Sequence, residues 1–268
     1  MLFTHYAGCP LCDSKSTNIG EADCSRHPLW HDALPTTLSW YQCQTCAHVF
    51  TAHYWTPDGL NEVFRRAHGN QQADIQNADA KRATWLPVVQ NAMTHLGGYR
   101  SALLERTPAT WLDVGCGDGA LVMTASDLGF KAIGLDARKE TVAKLQQLGF
   151  KAHQGDFITA GMQGQVNVIS MMDVLEHMPY PKQALHKAHQ VLAPGGLIII
   201  SLPDLGCSAW KLMNAANANP YWGELEHHHN FSRQRLMTLL EEQGFEVQDA
   251  TIPRRYKAQI EVYAKKVT

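Results

Sequence analysis

The stretch Trp111-Leu112-Asp113-Val114-Gly115-Cys116-Gly117-Asp118-Gly119 constrains this chain more than any other. A short apolar strand ends in three glycines spaced by single residues, and a helix-forming run opens at Ala120. Glycine permits a sharp turn and leaves no Cβ to hold off a ligand. The helix start behind it offers free backbone N–H groups. Asp113 stands where it either orders the loop or holds a cationic group. Gly115-x-Gly117-x-x-Ala120 also fits the dinucleotide fingerprint, so the loop alone points to a nucleoside-type ligand without choosing one.

From residue 109 the pattern alternates strand and helix. Strands are expected at Thr110–Val114, Lys131–Leu135, Lys151–His153, Val166–Met171 and Leu197–Leu202, with helices at Ala120–Leu128, Lys139–Leu148 and Pro181–Leu192. Such βαβ repetition implies a mostly parallel sheet covered by helices on both faces. A Ser232–Gln243 helix follows, with Ser232 as N-cap, and then an antiparallel pair at Phe245–Thr251 and Gln259–Lys265. Leu205–Asn230 breaks the rhythm and reads as an insertion over the carboxyl ends of the strands. Upstream, 56–106 reads as helical, with a short piece at Asn61–Arg66 and a longer one at Asp79–Leu96. In the longer piece Trp85, Leu86, Val89, Met93 and Leu96 fall near helical spacing, and Pro87 predicts a kink or break. Residues 1–55, rich in Cys, His, Trp and turn formers, show weak periodicity and little core. The division expected is 1–55, 56–106 and 107–268, with the insertion at about 205–230.

The chain of 268 residues has 23 basic and 25 acidic side chains, a formal charge of −2. That removes any general attraction to long nucleic acid or to an anionic membrane. No apolar run approaches the roughly 20 residues that span a bilayer. The N-terminus lacks the charged and apolar regions of a signal peptide, so a cytoplasmic protein is expected. Four of the seven cysteines form two Cys-x-x-Cys pairs, Cys9/Cys12 and Cys43/Cys46. In a reducing compartment such pairs hold metal more often than disulfides. Four thiolates suit a closed, structural tetrahedral zinc site, with His48 and Cys24 as lesser alternatives. Asp13 and Ala47 follow the second Cys of each pair, where such knuckles often carry Gly, so an irregular geometry is expected.

The glycine loop, Ile133-Gly134-Leu135-Asp136, Gly155-Asp156-Phe157, Asp173-Val174-Leu175-Glu176-His177-Met178 and Leu192-Ala193-Pro194-Gly195-Gly196 together resemble the landmarks of class I S-adenosylmethionine (SAM) methyltransferases, in order and distance. The resemblance covers roughly 109–265. It implies a Rossmann-like, doubly wound α/β fold with a terminal antiparallel strand, preceded here by the small zinc-binding module. It further implies SAM as donor and S-adenosylhomocysteine as product, held by Asp113, Gly115, Cys116, Gly117, Gly119, Asp136, Ala137, Asp156, Phe157 and Met172. In that reading Asp136 receives ribose hydroxyls, Asp156 the adenine amino group, and Phe157 covers the ring. Catalysis then consists mainly of aligning an in-line displacement, with a base or metal where a hydroxyl or amine must lose its proton.

On the acceptor side, Asp173, Glu176 and His177 share one face if their segment is helical. A second cluster, Glu226-His227-His228-His229-Asn230-Phe231-Ser232-Arg233, closes the insertion. It is similar to segments of 3-demethylubiquinone O-methyltransferases and of small-RNA terminal 2′-O-methyltransferases. In those families an acid-x-x-Glu-His set with a later His can bind a divalent metal. The likeness implies His177, Glu176 and His227 as catalytic residues, and Asp173/Glu176/His177/His227 as a second metal site, with Asp173 standing where the set begins with Glu. The CPxC…CxxC layout with a His-rich segment ending in Phe-Ser-Arg is similar to that of bacterial methyltransferases of nucleotide-linked sugars and other intermediates, whose module helps shape the acceptor side. The expectation is O-methylation of a small-molecule acceptor, a sugar or other biosynthetic intermediate. N- or C-transfer, RNA 2′-O-methylation, dinucleotide-dependent oxidation and a zinc-ribbon binding protein without catalysis are the alternatives. Arg82 is a candidate for the donor carboxylate or a plain surface arginine.

Overall fold

The computed structural model describes residues 1–64, 78–98, 108–161, 165–256 and 258–267. Much of the expected 56–106 helical stretch, namely 65–77 and 99–106, lies outside these residues, including Arg66 of the expected short helix. The chain opens with five short strands: β1 (Phe3–His5), β2 (Ser16–Asp23), β3 (Thr37–Cys43), β4 (Val49–Thr51) and β5 (His53–Trp55). Two helices follow, α1 (Pro57–Phe64) and α2 (Ala78–His95). The regular α/β rhythm comes next: β6 (Thr110–Val114), α3 (Ala120–Asp127), β7 (Lys131–Asp136), α4 (Lys139–Gln147), β8 (Lys151–Gln154), β9 (Val166–Met172), α5 (Pro181–Val191) and β10 (Leu192–Pro203). It ends with α6 (Ser208–Ala215), β11 (His229–Asn230), α7 (Arg233–Glu242), β12 (Phe245–Thr251) and β13 (Gln259–Lys266).

Seven strands form one sheet in the order β12-β13-β10-β9-β6-β7-β8. All pairings from β10 to β8 are parallel, and β13 alone runs against its neighbours. The doubly wound sheet with an antiparallel closing strand is therefore present. Leu197–Leu202 lies at its centre, fully buried. Alternation along that strand sends Ile198, Ile200 and Leu202 to one face with α5 and α7, and Leu197 and Ile199 to the other with α2, α3 and α4. The chain winds outward through β7 and β8, then returns to β9 on the other side of β6. Loops leaving the carboxyl ends of β6 and β9 diverge there, the usual ligand crevice of such sheets.

Three sequence expectations need revision. Of the kink or break expected at Pro87, the break is absent: α2 runs through it as one helix. Its buried face is Val88, Val89, Ala92 and Met93, while Leu86 is exposed. Residues 1–55 have a core after all: Leu38 and Trp40 alternate inward on β3, and Leu34, Trp55 and Cys24 pack with Val63 and Leu225.

The insertion also does more than cover the sheet. Strand β11 pairs with β4 and becomes the edge of the sheet β11-β4-β3-β2. Four residues before it, Trp222, Glu224, Leu225 and His228, are bonded to the N-terminal segment. Trp40 Nε1–H donates to the Trp222 carbonyl at 2.8 Å, His27 bonds Glu224 at 2.7 Å, and Trp55 Nε1–H donates to the Leu225 carbonyl at 2.6 Å. Thr51 N–H adds a bond to the His228 carbonyl at 2.9 Å.

Candidate active site

A cleft of about 1270 Å³ opens at the carboxyl ends of β6, β7, β9 and β10 and is roofed by residues 220–227. Its donor-side wall starts at the glycine loop. The N–H groups of Gly115 and Cys116 donate to the Leu135 carbonyl at 2.7 and 3.1 Å, which folds the loop back on β7. Gly115 and Gly119 lie at φ 67° and 79°, and a Cβ on either would collide with Val174 or Leu145. Gly119 is the N-cap of α3. Gly117 N–H donates to Asp136 Oδ2 at 2.9 Å. Arg138 adds bonds from its N–H, Nε and Nη2 to the same carboxylate at 2.8–3.0 Å. Burial alone would raise the Asp136 pKa, but the Arg138 bonds and charge and the Gly117 N–H outweigh it and hold the carboxylate ionised.

The expected donor-site residues separate into two groups. Gly115, Asp136 and Ala137 line the cleft. Asp113 lies beneath the loop, fully enclosed, and accepts the Ser170 hydroxyl at 2.6 Å, which itself accepts Trp111 Nε1–H at 2.8 Å. Burial raises Asp113 to about 7 against the lowering bond from Ser170. Cys116 packs on Gly134, and Phe157 and Met172 are buried in the two apolar layers. Asp156 is exposed, and its Oδ1 accepts the N–H groups of Ile158 and Thr159, a turn cap. Arg82 pairs with Asp127 of α3.

The acceptor-side wall differs from the helix that the spacing implies. Asp173 sits at φ 59° and only Leu175–His177 form a turn, a single 3₁₀ one. The reversal at Asp173 turns its carboxylate to Gln259, whose Nε2–H donates at 2.7 Å. The expected four-residue metal set therefore loses Asp173 and contracts to Glu176, His177 and His227, whose ligand atoms lie within 4.8 Å of one another. A carbonyl can only accept, so the 3.0 Å contact of His177 Nδ1 with the Glu226 carbonyl places the ring proton on Nδ1. In the neutral ring the lone pair is then on His177 Nε2, 4.0 Å from Glu176 Oε1. The His227 ring meets His177 edge-on at 4.7 Å.

Glu176 is 1% exposed, and neither of its oxygens, nor His227 Nδ1, has a hydrogen-bond partner among the described residues. Burial, then Asp173 and Glu226, push the Glu176 carboxyl well above the usual range. Burial, then His177, push His227 well below it. An orphaned buried polar group costs about 1–3 kcal/mol. One carboxylate and two imidazoles form a donor set that fits a first-row divalent cation. The pattern in which His177 donates its other N–H to a carbonyl is that of a metal-bound histidine.

The second predicted cluster, the four cysteines, does come together. Their sulfurs lie 3.5–3.6 Å apart along three edges and all within 4.8 Å. A tetrahedron with Zn–S of about 2.3 Å has edges of about 3.8 Å, whereas a disulfide needs about 2.05 Å. Asp13 and Ala47 both adopt φ 57° and close matching turns onto the Cys9 and Cys43 carbonyls at 2.8 and 3.1 Å. The two knuckles are thus regular, with non-glycine residues in the left-handed region. Thr45 and Cys46 N–H groups point at Cys43 Sγ at 3.4 Å. Cys24 and His48 lie elsewhere, bonded to Pro35 and His229.

Sequence reasoning missed Arg138, Tyr221, Glu224, Tyr256 and Gln259, all of which line the cleft. Arg138 had a signal, its position two residues after a strand-terminal acid. Gln259 had none, since only the β10–β13 pairing brings it beside Asp173.

The profile of a family described as a methyltransferase domain matches residues 89–250. The ubiquinone biosynthesis O-methyltransferase of Xanthomonas axonopodis pv. citri is 30% identical over 122 residues, 42% of this chain and 51% of that protein. The same enzyme of Azotobacter vinelandii is 32% identical over 109 residues, 38% of this chain and 47% of that protein. The chain thus spans about half the length of the curated relatives it matches. Among solved structures, Burkholderia thailandensis 1,6-didemethyltoxoflavin-N1-methyltransferase, with its bound substrate and S-adenosylhomocysteine, aligns with a TM-score of 0.58 at 18% identity, covering 82% of this chain and 96% of that one. Magnesium protoporphyrin IX methyltransferase of Synechocystis PCC 6803, with S-adenosylhomocysteine, aligns at 0.53 and 16% identity, covering 76% and 92%. These structures share the fold. The profile match takes in β6 to β10 and the loops around the cleft, well over half the chain, and the protein belongs to the methyltransferase-domain family.

Proposed function

We propose that this protein transfers the methyl group of SAM to a small-molecule acceptor, on oxygen, in the biosynthesis of a sugar or another intermediate. The observation that carries the reading is His177, fixed by its Nδ1–H on the Glu226 carbonyl so that Nε2 presents a lone pair beside Glu176 and His227. It faces the same cleft as Gly115 and Asp136. At about 1270 Å³ the cleft exceeds the roughly 300–1000 Å³ of single-ligand sites, which supports a donor and an acceptor side by side.

SAM supplies an electrophilic methyl on sulfonium. The Gly115–Gly117 backbone, Asp136 and Ala137 hold the donor, with the ribose sharing the Asp136 carboxylate with Arg138. Asp113 supports the loop from below. Asp156 stands on the adenine side, exposed at the turn it caps, and Phe157 and Met172 back the donor wall from the apolar layers. His177 Nε2 takes the acceptor proton, Glu176 and His227 orient it, and residues 220–227 exclude water. In place of that general-base arrangement, Glu176, His177 and His227 would hold a divalent cation, with His177 Nε2 as a ligand, and its charge would acidify an acceptor hydroxyl. Cys9, Cys12, Cys43 and Cys46 hold a structural zinc in an N-terminal module, residues 1–55, that braces the acceptor wall.

Calorimetric titration with SAM, S-adenosylhomocysteine and NAD(H) tests the donor; binding of NAD(H) alone defeats the proposal. With labelled SAM and a panel of catechols and glycosides, His177→Ala is expected to lower kcat about 100- to 10,000-fold while S-adenosylhomocysteine affinity stays constant. Full turnover in that variant removes His177 from the chemistry.

A further inference from the structure

A second groove, of about 950 Å³, runs between β2 and residues 214–224 and shares Pro220 and Glu224 with the cleft. His27, on the groove wall, lies 2.7 Å from the shared Glu224 and 3.4 Å from Glu226 of the cleft. These three resemble a metal set, but the chemistry is against it. Leu29 N–H donates to His27 Nδ1 at 3.2 Å, so the ring proton sits on Nε2 and is given to Glu224. Nε2 then has no lone pair for a cation.

The groove walls carry mixed polar chemistry. Glu21, Asp23 and Glu224 line it with Arg26 and His27, whose pKa burial would lower but the two neighbouring glutamates raise, so carboxylates still outnumber cations and the balance is unfavourable to phosphate or carboxylate. Each carboxylate already accepts a hydrogen bond, from Ser39, Ser25 and His27 respectively, and keeps spare lone pairs. Asn217, exposed at φ 51°, adds a carboxamide. Trp222 supplies an aromatic wall. It packs edge-on against Trp40 and Trp210, and its indole N–H is bound by Asn214 at 2.9 Å, so the ring plane is fixed. Carboxylates that accept, amides and a guanidinium that donate, and a rigid indole face suit groups that both donate and accept on a ring with an apolar C–H face.

We propose that this groove is the distal subsite of the methyl acceptor and takes an uncharged, hydroxyl-rich ring, with Trp222 under it and Asn217 and Arg26 on its hydroxyls. The proposal rests on the cleft being the methyl-transfer site. The probe is the Trp222 indole N–H signal in ¹H–¹⁵N spectra of the full chain, identified with Trp222→Phe. Methyl glucoside, galactoside and mannoside are titrated at millimolar concentration, with uridine diphosphate and spermidine as contrasts. At least one glycoside is expected to shift the signal saturably. Asn217→Gly, which suits the positive φ, is expected to weaken that binding about two- to tenfold. A response to uridine diphosphate or spermidine alone, no response at all, or an unchanged glycoside affinity in Asn217→Gly overturns the assignment. S-adenosylhomocysteine affinity, measured on the same sample, separates the two readings: its absence removes the methyl-transfer reading while the glycoside result stands by itself.

Discussion

Asp113 and Asp136 are both acids at strand ends, 3% and 5% exposed, yet their surroundings set them apart. Asp136 has a guanidinium and two backbone N–H groups, whereas Asp113 has one hydroxyl and is raised to about 7. The sign follows directly. Between the unfolded value of 3.8 and about 7 the folded chain binds more protons at Asp113 than the unfolded chain. Stability is therefore lost through this group as pH rises across that window, by on the order of 1.4 kcal/mol per unit. Asp113→Asn is expected to remove that slope. Urea unfolding at pH 5 and pH 8 checks it: the variant gains on the wild type at the higher pH, and an equal difference at both values defeats the account. The sequence marked this carboxylate by its place near the end of a strand before a glycine turn, although its side-chain bond goes to β9 and not to the loop. Its partner Ser170 was not marked, since nothing local pairs β6 with β9.

The elements with local signals were readable. The strands and helices of the main sheet from β6 to β10, with α7, β12 and β13, carry their own period and turn residues, and the Ser232 cap accepts Arg235 N–H as its sequence implies; α6 and β11, inside the insertion, did not show. The short N-terminal strands were not readable. Three-residue strands have no period to show, and their pairing is non-local, as in His229↔Phe50. The 173–177 spacing fits a helix equally well on paper, and only the positive φ at Asp173 breaks it. The knuckle turns failed for a related reason: sequence offers Asp13 and Ala47 where the left-handed backbone favours Gly. A left-handed non-glycine residue costs roughly 1–2 kcal/mol. Ala47→Gly should thus raise thermal stability, by up to about 1 kcal/mol after the extra unfolded-chain entropy of Gly. Calorimetric Tm reads this, and a lower Tm contradicts it.

At the scale of the molecule, the cysteine-rich segment and the acceptor-side insertion are one structural body. Cys9, Leu11, Cys43 and Phe50 share an apolar layer with the main sheet, and Trp222, Glu224, Leu225, His228, His229 and Asn230 are bonded to the N-terminal segment. Chelation of the cysteine site is therefore expected to speed amide exchange in 222–230 as well as in β2–β4. S-adenosylhomocysteine affinity should change less than about twofold, because Gly115 and Asp136 hang from other strands. Exchange confined to 1–55 would show that the two parts are independent.

The same stitching has a consequence in time. Strand β4 ends at Thr51, but its outer neighbour, His229–Asn230, lies about 180 residues further along. At about 5–20 residues per second, a nascent chain exposes that unpaired edge for roughly 10–35 s before the partner emerges. For that interval this edge is open to a neighbouring polypeptide, and the roof of the cleft is among the last parts of the molecule to close.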